Sequence, residues 1–215
     1  MKRFSGRIEY IAAAVLAIFL TVGTVSCTPN AKPAPMPSAP TQAEESLIGF
    51  YPLKVGNLWE YEGEGMEYAD FEQKVVYKEG NRYQINIQNS GTVMANIIEE
   101  NRENLINTYK SGEIYDNEDL LDKGRNANII LLQTPIEKGN FWISEENYYE
   151  IMDTAVDLVV PAGSFENCIA VRMTFKDHTS NITYYYKRGI GLVQSEFRTD
   201  AGDLVISRLK RYEFK

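Results

Sequence analysis

Alternation at a period of two residues constrains this chain more than any other feature. Ile169, Val171, Met173 and Phe175 share one parity while Cys168, Ala170, Arg172 and Thr174 take the other, as pleated strands require. Comparable runs lie at 57–63, 70–78, 82–88, 92–99, 104–110, 128–133, 140–145, 149–160, 181–187, 191–197 and 203–214. Tyr, Val, Ile and Thr dominate them, and breaks such as Glu79-Gly80-Asn81, Ser111-Gly112 and Ala201-Gly202-Asp203 suit hairpin turns. No run has the spacing of a long amphipathic helix; 117–123 and 44–48 have room for a turn or two. The expected fold is all-β: an antiparallel meander forming a barrel, half-barrel or sandwich, with few or no helices beyond the N-terminal leader.

A repeat sharpens that expectation. Tyr51-Pro-Leu-Lys-Val-Gly-Asn-Leu-Trp-Glu-Tyr-Glu62 and Thr134-Pro-Ile-Glu-Lys-Gly-Asn-Phe-Trp-Ile-Ser-Glu145 share Pro, Gly, Asn, Trp and Glu at an offset of 83, which Gly80 and Gly163 keep. Two similar units of about eighty residues, roughly 50–132 and 133–215, then make up one β-rich domain over 47–215. Pro52 and Pro135 stop the preceding run, Gly56 and Gly139 supply a position that tolerates positive φ, and Trp59 and Trp142 begin the next strand as core anchors. Gly163 joins this set of structural anchors. Sugar stacking on the two indoles is the functional alternative.

The N-terminus follows a different logic. Lys2, Arg3 and Arg7 precede an apolar run over 10–25 that ends at Thr24-Val25-Ser26-Cys27, the pattern of a secretory signal and short for a permanent span. This segment resembles a bacterial lipoprotein signal with its lipobox. The resemblance implies that 1–26 are removed and that Cys27 is acylated to become the first residue of the mature chain. Buried acyl chains contribute about 0.8 kcal/mol per CH₂, so two of them moor a soluble domain stably. The membrane is thus an expected partner, on its extracytoplasmic side. Thr28, not Asp, follows the cysteine, so the resemblance does not invoke inner-membrane retention.

Residues 27–46 read as the acylated cysteine and a tether, since 28–46 hold five of the eight prolines and almost no bulky apolar side chain. At about 3.1 Å per residue the tether spans up to roughly 60 Å. Removing the leader takes three basic and one acidic residue from totals of 22 and 30, so the net charge moves from −8 to −10. A surface of that sign repels a phosphate backbone, and no nucleic-acid partner is expected.

Three further stretches resemble a loose group of exported, β-rich and often lipid-anchored bacterial domains: Pro52-Leu53…Gly56-Asn57…Trp59, then 160–168 (VPAGSFENC), then Tyr184-Tyr185-Tyr186…Gly189-Ile190-Gly191-Leu192-Val193. That group implies fold and address and supplies no catalytic residues to carry over. A more distant likeness runs to the carrier half-barrels of lipoprotein trafficking, although the long helices that plug those are not evident here.

Candidate chemistry is sparse. One histidine and two cysteines leave little for zinc, and no metal or cofactor is expected. With Cys27 acylated, Cys168 is the remaining thiol, read as a small core residue with a nucleophile as the alternative. His178 sits in a polar turn, a strand away from Cys168. Glu113, Asp116, Glu118, Asp119 and Asp122 are the densest acids, but Leu120 interrupts a calcium-loop pattern, so the stretch reads as a solvated loop. The leading expectation is a non-enzymatic, lipid-anchored envelope protein that binds a protein, a wall component or an apolar molecule. The alternatives are an envelope hydrolase using unmarked carboxylates and a structural module without a small ligand.

Overall fold

Twelve alternating runs become twelve strands among the described residues. The structure, a computed structural model, describes residues 46–114 and 117–215. Cys27, the leader, the tether through residue 45 and Asp116 lie outside the described residues. The first meander is β1 (Leu58–Glu64), β2 (Phe71–Glu79), β3 (Arg82–Asn89), β4 (Val93–Glu100), β5 (Asn104–Ser111) and β6 (Ile129–Gln133). The second is β7 (Phe141–Ser144), β8 (Asn147–Val160), β9 (Gly163–Thr174), β10 (Asn181–Lys187), β11 (Gly191–Arg198) and β12 (Leu204–Glu213). Helical structure among the described residues is limited to two 3₁₀ turns, Leu47–Phe50 and Glu67–Ala69.

One antiparallel sheet carries all twelve strands in the order β6-β5-β4-β3-β2-β1-β12-β11-β10-β9-β8-β7. The last strand returns to the first, with Trp59 opposite Tyr212 and Tyr61 opposite Leu209. This leaves β6 and β7 as the two ends of the sheet, lying beside each other. The result is a nearly closed barrel, which decides among the three closures the alternation allowed.

Inward-facing side chains fill much of the lumen. Trp59, Tyr61, Val75, Ile85, Leu105 and Leu132 are among its buried members, and full burial of each aliphatic contributes roughly 1.5–3 kcal/mol. Strand directions place the N-terminal segment at the end where β4 finishes and β11 begins. There the Ile48 N–H donates to Glu100 Oε1 at 2.8 Å and the Gly189 N–H donates to the Gly49 carbonyl at 2.6 Å. Leu47 and Phe50 are buried beneath it, and the Arg188 guanidinium lies 4.3 Å from the Phe50 ring centre. Residues 46–50 are therefore a seal on one end of the barrel.

A second apolar cluster lies on the outer face of β2–β5. Ala95 and Ile97 are covered by Ile114, Leu120 and Leu121 from the β5–β6 connection. The Leu120 N–H donates to Gln84 Oε1 at 2.8 Å, and Glu99 accepts from Arg82, Arg125 and Thr108. The acidic stretch is thus not simply a solvated loop. Its Leu120-Leu121 pair gains more from burial than the neighbouring Glu118, Asp119 and Asp122 lose, because those acids need only stay at the edge.

Candidate functional site

The two copies of the repeated motif fold alike down to individual hydrogen bonds. Asn57 Nδ2 donates to the Pro52 carbonyl at 2.7 Å and Asn140 Nδ2 to the Pro135 carbonyl at 2.8 Å. The Gly56 N–H donates to the Val75 carbonyl and the Gly139 N–H to the Ile151 carbonyl, at 2.9 and 2.8 Å. Both glycines occupy the left-handed region, at φ +94° and +88°, where a side chain is strained. The indoles that follow are buried: Trp59 Nε1 donates to the Ile190 carbonyl at 2.6 Å, and Trp142 Nε1 to the Ile130 carbonyl at 3.0 Å. Neither ring is open enough to stack a sugar from solvent. Gly163, at φ +136°, opens β9 after the β8–β9 turn.

Trp142 belongs to a larger arrangement that closes the barrel. Where β6 meets β7, side chains of β7 and the turn after it take the place of a backbone ladder. The Ile130 N–H donates to Ser144 Oγ at 2.8 Å, Ser144 Oγ donates to the Asn128 carbonyl at 2.8 Å, and the Asn128 N–H donates to Glu145 Oε1 at 2.9 Å. These bonds satisfy the exposed edge of β6, which would otherwise invite another strand.

Behind this seam lies a cavity of about 290 Å³, at the end of the barrel away from the N-terminal seal. Ile129, Leu131 and Met173 give it apolar walls, joined by Tyr149, Tyr184 and Tyr186. Lys110, Glu145 and Asn147 stand at the open end, with Lys110 Nζ 3.6 Å from Glu145 Oε2. Asn107 projects into the space from β5, in register with the inward-facing Ile98.

One buried polar group here lacks a partner. Asn107 is 5% exposed, and its Oδ1 accepts no hydrogen bond among the described residues. An unsatisfied buried acceptor of this kind costs about 1–3 kcal/mol. Tyr149, Tyr184 and Tyr186 line the same space. Of the neighbouring lumen tyrosines, Tyr61 donates to the Leu192 carbonyl at 2.9 Å and Tyr51 to Gln73 Oε1 at 2.7 Å. Burial pushes the Tyr149 phenol up to about 12, and raises Tyr184 and Tyr186 as well. All three therefore stay protonated near neutrality and act as neutral donors and acceptors.

No family model matches this chain, and no curated protein does. Two solved structures are similar to it. One, described as an exported protein with a YmcC-like fold from Bacteroides fragilis, is 14% identical over 75% of this chain and 97% of its own, with a TM-score of 0.37. The other, described as a lipoprotein from Parabacteroides distasonis, is 13% identical over 76% of this chain and 98% of its own, with a TM-score of 0.35. Likeness at that level assigns neither fold nor function, and both rest on this chain's own residues.

The remaining sequence candidates are not brought together. Cys168 is fully buried in β9, accompanied by Ile169, Ala170 and Val171, and burial pushes its thiol up to about 11. His178 lies in the exposed β9–β10 turn, stacked on Tyr148 with ring centres 4.8 Å apart. Among the described residues no group of three or more His, Cys, Asp and Glu is placed to hold a metal ion. Glu60 and Glu72 stand opposite each other in the β1–β2 register, with Asp70 bordering the same surface hollow. Hydrogen bonds from Lys210 and Arg211 hold the Glu60 carboxyl below its ordinary value.

Asn107 and Tyr149 escaped the sequence reading, and Tyr184 and Tyr186 entered it only as part of a resemblance, although one signal was present. Asn107 interrupts the apolar residues Leu105, Ile106 and Tyr109 of its run, a polar residue on a strand with little reason to carry one.

Proposed function

We propose that this chain is an extracytoplasmic binding protein, moored to a membrane through lipid on Cys27 and without enzymatic activity, whose barrel lumen holds a small molecule. The observation that carries the reading is the half-walled cavity into which the buried, unpartnered Asn107 Oδ1 is set among three tyrosines. Apolar walls with a few aimed polar groups are what a small-molecule site requires. Two further features support it. The phenols are too weakly acidic for proton transfer near neutrality. Among the described residues Glu145 is the single carboxylate lining the cavity and is paired with Lys110, whereas glycoside hydrolysis needs two carboxyl groups.

Native mass spectrometry of protein released gently from membranes tests the binding reading. A bound molecule is expected in the unaltered chain and absent from Met173→Trp, which fills the cavity. An adduct retained in Met173→Trp would place binding elsewhere on the molecule and overturn the lumen reading. Identical bare masses for both chains would also count against it.

A further inference from the structure

Resting on that reading, we infer that the lumen site takes an uncharged, ring-sized molecule bearing at least one hydroxyl group, which donates to Asn107 Oδ1 and accepts from the phenols of Tyr149, Tyr184 or Tyr186. Size sets the first limit. At the close-packing density of protein interiors, about 0.75, a space of about 290 Å³ suits a molecule of roughly a dozen non-hydrogen atoms. A long acyl chain does not fit within it.

Charge sets the second limit. The two ionic groups at the cavity, Lys110 and Glu145, lie within 3.6 Å of each other at the open end and neutralise one another. An anion would have to break that pair, and a cation would find Glu145 already engaged. Deeper in, the available groups are an amide and phenols, which bind neutral partners.

Hydrogen bonding sets the third limit. Asn107 Oδ1 is buried and lacks a donor, and a purely apolar occupant would leave it so. A hydroxyl supplies that donor and also accepts from a phenol. Ile129, Leu131 and Met173 meanwhile require an apolar body, so a heavily hydroxylated sugar is disfavoured against a ring with one or two hydroxyls.

The test uses 1-naphthol, naphthalene and 1-naphthoate as fluorescent probes on the mature chain, residues 27–215, carrying Cys27→Ala. At pH 7, 1-naphthol is expected to bind at least about tenfold more tightly than naphthalene, with 1-naphthoate weaker than 1-naphthol. Asn107→Leu with Tyr184→Phe should bring 1-naphthol to the naphthalene value while leaving naphthalene within about twofold. Tyr184→Phe alone, the milder change, should remove part of the preference. Naphthalene binding as well as 1-naphthol in the unaltered chain, 1-naphthoate binding most tightly, or no binding by any of the three would each overturn the proposed ligand class. Binding of all three that is unchanged in Met173→Trp would instead overturn the lumen as the site, so the two failures are distinguishable.

Discussion

Ser144 holds Ile130 across the one junction of the barrel where strands meet without a shared ladder: its Oγ accepts the Ile130 N–H at 2.8 Å while donating to the carbonyl of Asn128. One hydroxyl thus satisfies two backbone groups of an edge strand. Ser144→Ala should cost about 1–2 kcal/mol, the consequence of stranding both partners in a partly buried position. Urea unfolding measures the loss, and hydrogen exchange should show the Ile130 amide opening faster while β9 amides respond only through the global change. Unchanged exchange at Ile130 would mean that the seam does not depend on this side chain.

A glycine at ordinary φ should prove as demanding as any at positive φ. A Cβ on Gly63 would lie 2.4 Å from the carbonyl carbon of Ala69, because the 3₁₀ turn Glu67–Ala69 folds directly onto β1 and is tied there by Ser207 Oγ donating to the Ala69 carbonyl at 2.7 Å. Gly63→Ala should therefore destabilise by about 1–3 kcal/mol through overpacking. Gly112→Ala, where a Cβ would meet nothing within 4 Å, should stay within about 0.5 kcal/mol in the same urea measurement.

The register shows how far the sequence could be read and where it stopped. Alternation placed the strands because each run must bury one face, so 82–88 and 181–187 became β3 and β10 within a residue. Asn107 shares the parity of the lumen-facing Leu105, but its run does not keep one inner set throughout. A bulge in β5 puts Asn107 opposite Ile98 and Tyr109 opposite Ile97, so two residues of equal parity face opposite sides of the sheet. The Ser144–Ile130 contact was hidden for another reason. Whether β6 meets β7 depends on closure of the whole barrel, which no local pattern encodes.

Alkaline pH should unfold this protein earlier than its charge alone suggests. Burial is the main cause raising the phenols of Tyr51, Tyr61, Tyr149, Tyr184 and Tyr186 above their ordinary value of 10.0. Below pH 10 these phenols are protonated in both folded and unfolded chains, so they add no pH dependence. As pH rises above 10 the unfolded chain loses protons that the folded chain keeps, and each tyrosine lowers stability by about 1.4 kcal/mol per pH unit until its folded value is passed, about 12 for Tyr149. The urea midpoint should be flat from pH 7 to 9.5 and then fall steeply, less steeply in Tyr149→Phe. A midpoint that stays level to pH 12 would contradict the burial of these rings.

The membrane address has its own test. Cys27→Ala should abolish labelling by radioactive palmitate and shift the protein from the membrane to the soluble extracytoplasmic fraction or leave its leader uncleaved. Undiminished labelling would remove Cys27 as the anchor, while leaving the barrel unaffected.

The most direct test of the central claim is a crystal structure of the mature chain purified from cell envelopes without denaturant. The account predicts density for a small organic molecule in the lumen, in hydrogen-bond contact with the Asn107 amide and at least one of the Tyr149, Tyr184 and Tyr186 hydroxyls. Ordered waters alone bridging those four side chains, in a lumen of the same shape, would contradict it.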